Sequence, residues 1–259
     1  MKKIIVLFAA VCFLSACDKD ENVGILAPYF FNSGNGTSSG SNNQDPQSNV
    51  PTEGLVAYYP LDGNADDKSG NKYHGELYGA LYKTSNRKGS GFALGFSGTL
   101  ADYIRVPFSS ILTTKSFTLN AWVYNYDSNN KDCTILQTGK LGVPGSFWFS
   151  FSNFRITDSE GTSYLVPLID NDIQPQSERW VMLSVTIDES LCRIYVNGEE
   201  TVAGTMMASY TPLNHSSYDL KIGISNYSID YCPFYGYLDD IRIYNRAVTA
   251  QEIQLLYKE

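Results

Sequence analysis

The stretch Phe117–Asn125, FTLNAWVYN, decides the fold class. Taken in steps of two, Phe117, Leu119, Ala121 and Val123 fall on one side, and Thr118, Asn120, Trp122 and Tyr124 on the other. That is the period of a strand with one face against a core. The pattern repeats outward from there. FWFSF sets Phe147, Phe149 and Phe151 against Trp148 and Ser150, and WVMLSVTID aligns Val181, Leu183, Val185 and Ile187. LCRIYVNGE aligns Cys192, Ile194 and Val196 ahead of an Asn-Gly turn, which makes Cys192 a packed thiol. Gly, Asn, Asp and Ser join these runs, as antiparallel connections require. A helical pattern is expected only in TAQEIQLLYKE, where Thr249 and Glu252 form a capping box.

The N-terminal end is of another kind. Lys2 and Lys3 precede an apolar run, IIVLFAAVCFLSA, that is shorter than the ~20 residues of a membrane-spanning helix. It stops at Leu14-Ser15-Ala16-Cys17, which resembles the lipobox of bacterial lipoproteins. The resemblance implies a signal peptide over 1–16, cleavage before Cys17, and acylation of its thiol. Each buried methylene of such chains contributes roughly 0.8 kcal/mol to membrane anchoring. The acidic run Asp18-Lys19-Asp20-Glu21 resembles the export tags of some lipoproteins, and implies an outer-membrane lipoprotein exposed at the cell surface. Residues 17–52 read as the acylated N-terminus and a flexible Gly/Ser/Asn-rich linker, leaving 53–259 as the domain.

Charge narrows the partners. The formal net charge is −8, and removing Lys2 and Lys3 takes it to −10, so phosphate backbones are repelled and nucleic acid is not expected. Aromatic residues make up 14%, with 19 tyrosines, which suits strands and surfaces that bind sugars or proteins. Beyond Cys12 and Cys17, the cysteines Cys133, Cys192 and Cys232 show no metal spacing, and at most one pair among them can form.

GLVAYYPLDGNADDKSGNKYHGELYGA, then ALGFSG, DYIRVP, FTLNAWV, RWVMLSVTID, IYVNGE and GYLDDIRIYNRAVTAQEIQLLY, resemble in their order the laminin-G-like, concanavalin A-like domains of bacterial surface proteins. The resemblance implies an all-β, two-sheet antiparallel jelly-roll sandwich with a short C-terminal helix, and neighbouring first and last strands. This fold hosts lectins, enzymes and adhesion modules, so function has to come from sites.

Three kinds of site are weighed. Asp66, Asp67, Ser69 and Asn71 offer oxygen ligands in a Gly-bounded loop. Asp239 precedes Ile241 and Ile243 at strand spacing, so its carboxylate is expected to face the core, and the neighbouring first and last strands that the resemblance implies would bring Asp239 or Asp240 near that loop, while Asp240 shares a face with Arg242. Asp67, Asn71, Asp239 and Asp240 are therefore the candidate ligands of a structural calcium, against the simpler reading of an Asx-turn loop without metal. The second site is carbohydrate-binding: Asn120, Trp122, Tyr124 and Trp148 lie opposite the apolar stripes, and Tyr164, Tyr227 and Tyr231 stand in nearby loops. Trp122 and Trp180 also read as framework packed under loops. The third is catalytic. Glycoside hydrolysis needs two carboxyl groups about 5–9.5 Å apart, and no E-x-D-x-E strand, G-x-S-x-G or H-E-x-x-H occurs; His74 and His215 stand in polar loops. A tethered, non-catalytic glycan-binding module is the expectation. A protein-binding adhesion module is the alternative and a glycoside hydrolase the third reading.

Overall fold

A computed structural model describes residues 50–79, 81–107, 114–126, 132–140, 142–168, 179–189, 191–206, 218–225 and 233–259. The signal segment, Cys17, the linker up to residue 49, Tyr227, Tyr231 and Cys232 lie outside the described residues.

Two antiparallel sheets stack face to face. Eight strands build the first: β1 (Leu55–Tyr59), β3 (Tyr82–Ser85), β4 (Phe92–Ser97), β6 (Phe117–Asn125), β11 (Trp180–Asp188), β12 (Leu191–Val196), β13 (Glu199–Met206) and β15 (Tyr235–Tyr244). Their order is β13-β12-β11-β6-β15-β4-β3, with β1 paired to the other half of the β15 edge that β4 uses. The first and last strands are thus neighbours, as the resemblance implies. Seven strands build the second sheet in the order β10-β9-β8-β7-β14-β5-β2: β2 (Glu76–Tyr78), β5 (Tyr103–Val106), β7 (Thr134–Thr138), β8 (Phe147–Ser150), β9 (Asn153–Thr157), β10 (Ser163–Pro167) and β14 (Leu220–Ile222).

The period-two stripes meet between the sheets. Phe117, Leu119, Ala121 and Val123 are fully buried with Phe147, Phe149, Phe154 and Ile156 from the facing sheet, and the rings of Phe117 and Phe147 lie 5.9 Å apart. Each such side chain contributes roughly 1.5–3 kcal/mol by leaving water. Cys192 belongs to this core, and burial pushes its thiol up to about 12, so it packs as an inert apolar group.

A second, smaller core lies on the outer face of the eight-stranded sheet. Helix α1 (Ala250–Lys258) lays Ile253 and Leu256 over Trp122, Met182, Tyr195, Tyr244 and Val248. The helix begins with the expected capping box of Thr249 and Glu252, and Arg246 clamps Glu252 through both carboxylate oxygens. Two expectations are corrected by this arrangement. Trp122 is 6% exposed, closed between the Arg87 guanidinium at 4.1 Å and the Tyr257 ring at 5.6 Å. Asn120 is fully buried and donates to Ser184 Oγ at 2.8 Å. The face opposite an apolar stripe is open only where no further element covers it, and here a helix does.

Candidate aromatic binding strip

One row further along the same face, the helix stops and the sheet surface opens. Cross-strand register places Trp180 on β11 beside Tyr124 on β6, Tyr124 beside Tyr237 on β15, Tyr237 beside Gly95 on β4, and Gly95 beside Tyr82 on β3. Trp180, Tyr124 and Tyr237 form a triangle of rings, with centroids 5.6 Å (Trp180–Tyr124), 5.3 Å (Tyr124–Tyr237) and 6.3 Å (Trp180–Tyr237) apart, and Tyr82 stands 6.1 Å from Tyr237. The planes of these pairs are turned by 66°, 39°, 34° and 85°, so the surface is corrugated, each ring braced on its neighbours by edge or tilted contacts. Tyr126 and Tyr235 widen it at one side, with ring centroids 5.2 Å apart. Tyr82 and Tyr235 are 41% and 43% exposed, while Trp180, Tyr124, Tyr126 and Tyr237 are partly so.

Gly95 makes the row continuous. A Cβ there would lie 2.5 Å from ring atoms of Tyr82, so only glycine lets that ring cross β4 and reach Tyr237. Gly95→Ala should keep the fold but swing Tyr82 outward. Loss of the ring-current shifts between Tyr82 and Tyr237 in an NMR spectrum checks this, and unchanged shifts would show that the ring does not need the gap.

Hydroxyls of the strip are linked to one another. Tyr126 and Tyr237 share a short O–H···O hydrogen bond. Burial, then the neighbouring Tyr237, pushes the Tyr82 phenol up to about 12. The hydrogen bond to Tyr237, followed by burial, raises the Tyr126 phenol as well. These groups therefore stay protonated at any physiological pH, able both to donate and to accept.

The four expected calcium ligands do not converge. Asp67 Oδ1 accepts the backbone N–H groups of Tyr58 and Ser69, and Oδ2 accepts the Tyr73 N–H and the Ser69 hydroxyl. Those four donors fill the lone-pair directions of a carboxylate. Burial pushes its pKa up, but the N–H groups of Tyr58, Ser69 and Tyr73 and the Ser69 hydroxyl outweigh that and hold it below the ordinary 3.8. Asn71 donates to the Leu55 and Val56 carbonyls, and His74 Nδ1 accepts the Asp67 N–H. This is the Asx-turn alternative, with the loop tied down on β1. Asp240 takes the Tyr58 hydroxyl at 2.6 Å and Arg87 at 2.9 Å, so it lies at the opposite end of Tyr58 from Asp67. Among the described residues no group of three or more His, Cys, Asp or Glu side chains is placed to hold a metal ion.

Asp239 faces away from the core, contrary to its spacing. Opposite Trp122 and Asn120, which are two residues apart on β6, β15 places Asp239 and Arg242, which are three apart. The extra residue is a β-bulge at Asp240, whose φ is 46°. It resets the alternation, so Leu238, Ile241 and Ile243 point into the main core while Asp239 and Arg242 share the outer face with Trp122 and Asn120. Around this bulge Arg87 Nε, Asn120 Oδ1, Trp122 Nε1, Asp239 Oδ2 and Arg242 Nη1 are buried without a hydrogen-bond partner among the described residues. Burial, then the charge of Asp240, raises the Asp239 carboxyl to about 8 against the opposing pull of Arg87.

On the other sheet, one cross-strand row runs Leu165, Arg155, Trp148, Gln137, Lys221, Arg105 and Glu76. Trp148 sits in the middle of that row but is 5% exposed, with its indole N–H on Thr134 Oγ1. Arg105 is held by Asp219 and Glu76. Tyr164 donates its hydroxyl to Asp158, which also accepts the Glu160 and Thr162 N–H groups, so it braces its own loop. Of the expected sugar contacts among the described residues, Tyr124 alone lies in the open aromatic strip. Trp180, Tyr237, Tyr82 and Gly95 join it through register, which one strand's pattern does not reveal. The buried carboxylates among the described residues, Asp67, Asp102, Asp158, Asp239 and Asp240, are at most 5% exposed.

The two antiparallel sheets form a jelly-roll sandwich with an aromatic patch on the outer face of one sheet. A family model of the concanavalin A-like lectin/glucanases superfamily, Laminin_G_3, matches residues 97–254, and the chain belongs to that family. Among solved structures, domain 4 of AbnA, a GH43 extracellular arabinanase from Geobacillus stearothermophilus in complex with arabinotriose, aligns with a TM-score of 0.62 at 19% identity, covering 78% of this chain and 98% of that one. The botulinum neurotoxin serotype G binding domain aligns with a TM-score of 0.61 at 17% identity over 79% of this chain. A botulinum neurotoxin type C structure, described as dependent on two ganglioside molecules for cell entry, aligns with a TM-score of 0.63 at 15% identity over 80%. This chain spans about half the length of the two toxin chains, 50% and 51%. At these identities the likeness is one of fold. A search of curated proteins found no match.

Proposed function

We propose that this domain is a non-catalytic carbohydrate-recognition module that holds glycan on the aromatic strip Trp180–Tyr124–Tyr237–Tyr82. The observation that carries this reading is the strip itself, a row of partly exposed rings with phenol and indole polar atoms. A sugar ring has an apolar C–H face and a fringe of hydroxyls, and both find partners there. The arabinotriose and ganglioside named for two fold neighbours agree with it. The resemblance of Leu14–Cys17 to a lipobox and the acidic run after it support a module tethered by lipid at the outer surface of the outer membrane.

The test is a glycan array probed with the 53–259 domain and with a Trp180→Ala/Tyr82→Ala double variant. Saturable binding that falls at least tenfold in the variant, about 1.4 kcal/mol, is expected, because stacking faces are lost without altering the main core. Binding to no glycan, or binding indifferent to these rings, would overturn the reading. Capture of a protein ligand on the strip would favour the adhesion alternative.

A further inference from the structure

We infer that the β-bulge of β15 is a buried hydration site, holding a pair of ordered waters between the sheet and the C-terminal end of helix α1. The inference concerns the covered part of this face and is independent of glycan binding. Two cross-strand pairs frame the site, Asp239 opposite Trp122 and Arg242 opposite Asn120. Each sets one unmet donor against one unmet acceptor: Trp122 Nε1 with Asp239 Oδ2, and Arg242 Nη1 with Asn120 Oδ1. Arg87 Nε is unmet as well, and it belongs to the first pair, since the Arg87 guanidinium lies 4.1 Å from the Trp122 ring and its charge acts on Asp239. The paired side chains are at most 6% exposed.

The bulge explains why these atoms do not bond one another. Two residues separate Asp239 from Arg242 while one separates Asn120 from Trp122, so the β15 side chains are splayed relative to their partners. Donor and acceptor in each pair stay unbonded, although buried polar groups as a rule find a partner. The mixture of donors and acceptors selects the occupant. An anion would suit the N–H groups of Arg87, Trp122 and Arg242 but press against Asn120 Oδ1 and Asp239 Oδ2, and a cation would do the reverse. Water serves both kinds. One water accepts from Trp122 Nε1 and Arg87 Nε and donates to Asp239 Oδ2; the other accepts from Arg242 Nη1 and donates to Asn120 Oδ1. A bond from the first to the second then gives each at least the roughly three partners usual for a buried water. Asp239 keeps a partner on both sides of its titration, because water donates to a carboxylate and accepts from a carboxylic acid. The end of α1 closes the site: Tyr257 stacks on Trp122 at 5.6 Å, and Glu259 accepts from Arg242 Nη2 at 2.7 Å. Exchange with bulk water therefore waits for that end of the helix to lift.

The experiment is a crystal structure of the protein at a resolution that shows individual waters, from crystals grown in chloride and in bromide, joined to oxygen-17 relaxation dispersion in solution. Waters bonded to Trp122 Nε1, Arg87 Nε and Asp239 Oδ2, and to Arg242 Nη1 and Asn120 Oδ1, are expected, with no anomalous bromide peak among them. Tyr257→Ala removes part of the cover, and should lose slowly exchanging water signal relative to the parent protein while both waters remain in its crystal structure. Direct bonds from Arg87 Nε to Asp239 Oδ2 and from Arg242 Nη1 to Asn120 Oδ1 would overturn the inference. So would a bromide peak at the donors, or a relaxation signal that Tyr257→Ala leaves unchanged.

Discussion

Asp239→Asn melts several degrees above the parent protein at pH 8 and level with it near pH 4. The carboxyl of Asp239 is about 8 in the fold and 3.8 as its ordinary value, because burial and the Asp240 charge disfavour its ionised form. A group whose pKa is raised by folding contributes its stability below the unfolded value, and that contribution drains away as pH rises through the folded one. The parent should therefore lose stability steadily between about pH 4 and pH 8. Asparagine keeps the oxygen that accepts the Asp240 N–H and has no proton to lose. The gain at neutral pH should be on the order of a few kcal/mol, and each kcal/mol moves the melting point of a domain this size by about 2–4 °C. Melting curves from pH 4 to pH 9 decide it. Parallel curves for the two proteins would mean that the carboxylate ionises in the fold at little cost.

Asp67→Ala lowers stability by about 3–5 kcal/mol, and neither EDTA nor added calcium changes the melting point of the parent protein. The substitution strips partners from three backbone N–H groups, those of Tyr58, Ser69 and Tyr73, at a residue 5% exposed. Hydrogen bonds to a charged group are worth about 1.5–3 kcal/mol each, and buried donors left without a partner add their desolvation cost. The sign of the pH effect is opposite to that at Asp239. A carboxyl held below 3.8 supports the fold above that pH and withdraws its support as pH falls through the folded value. Differential scanning calorimetry in EDTA and in calcium separates the two uses of this loop. A drop in EDTA that calcium restores would return Asp67 to the role of ligand.

The strands that bury one face were legible wherever a single period ran unbroken. Phe117–Val123 and Val181–Ile187 occupy the core side their spacing requires, and Thr249 with Glu252 starts the helix. The GYLDDIRIYN segment was legible only in part, because one left-handed residue at Asp240 shifts every later side chain to the other face. No local preference announces that shift, since an aspartate adopts φ 46° more readily than most residues yet seldom has to. The aromatic strip was legible at Tyr124 and nowhere else. Its other rings, Tyr82, Trp180 and Tyr237, stand 42 residues before Tyr124 and 56 and 113 residues after it. Register alone brings them together. Asn120 and Trp122 have the composition of a sugar site, and the helix that covers them is encoded more than a hundred residues away.

The place of β15 has a consequence for how the chain acquires its structure. This strand, closed only at Tyr244, pairs with β1, β4 and β6 and so fills the middle of the eight-stranded sheet. In a growing or threading polypeptide Leu55–Tyr59 cannot pair with β15 until residues 241–244 have emerged, so Leu55 must wait for a partner 189 positions downstream. Loop closure of that span has to precede the contacts that reward it, which predisposes the domain to slow, late, all-at-once folding. Polypeptides that stop short of the last strand should be substrates for proteases instead of partly working binders.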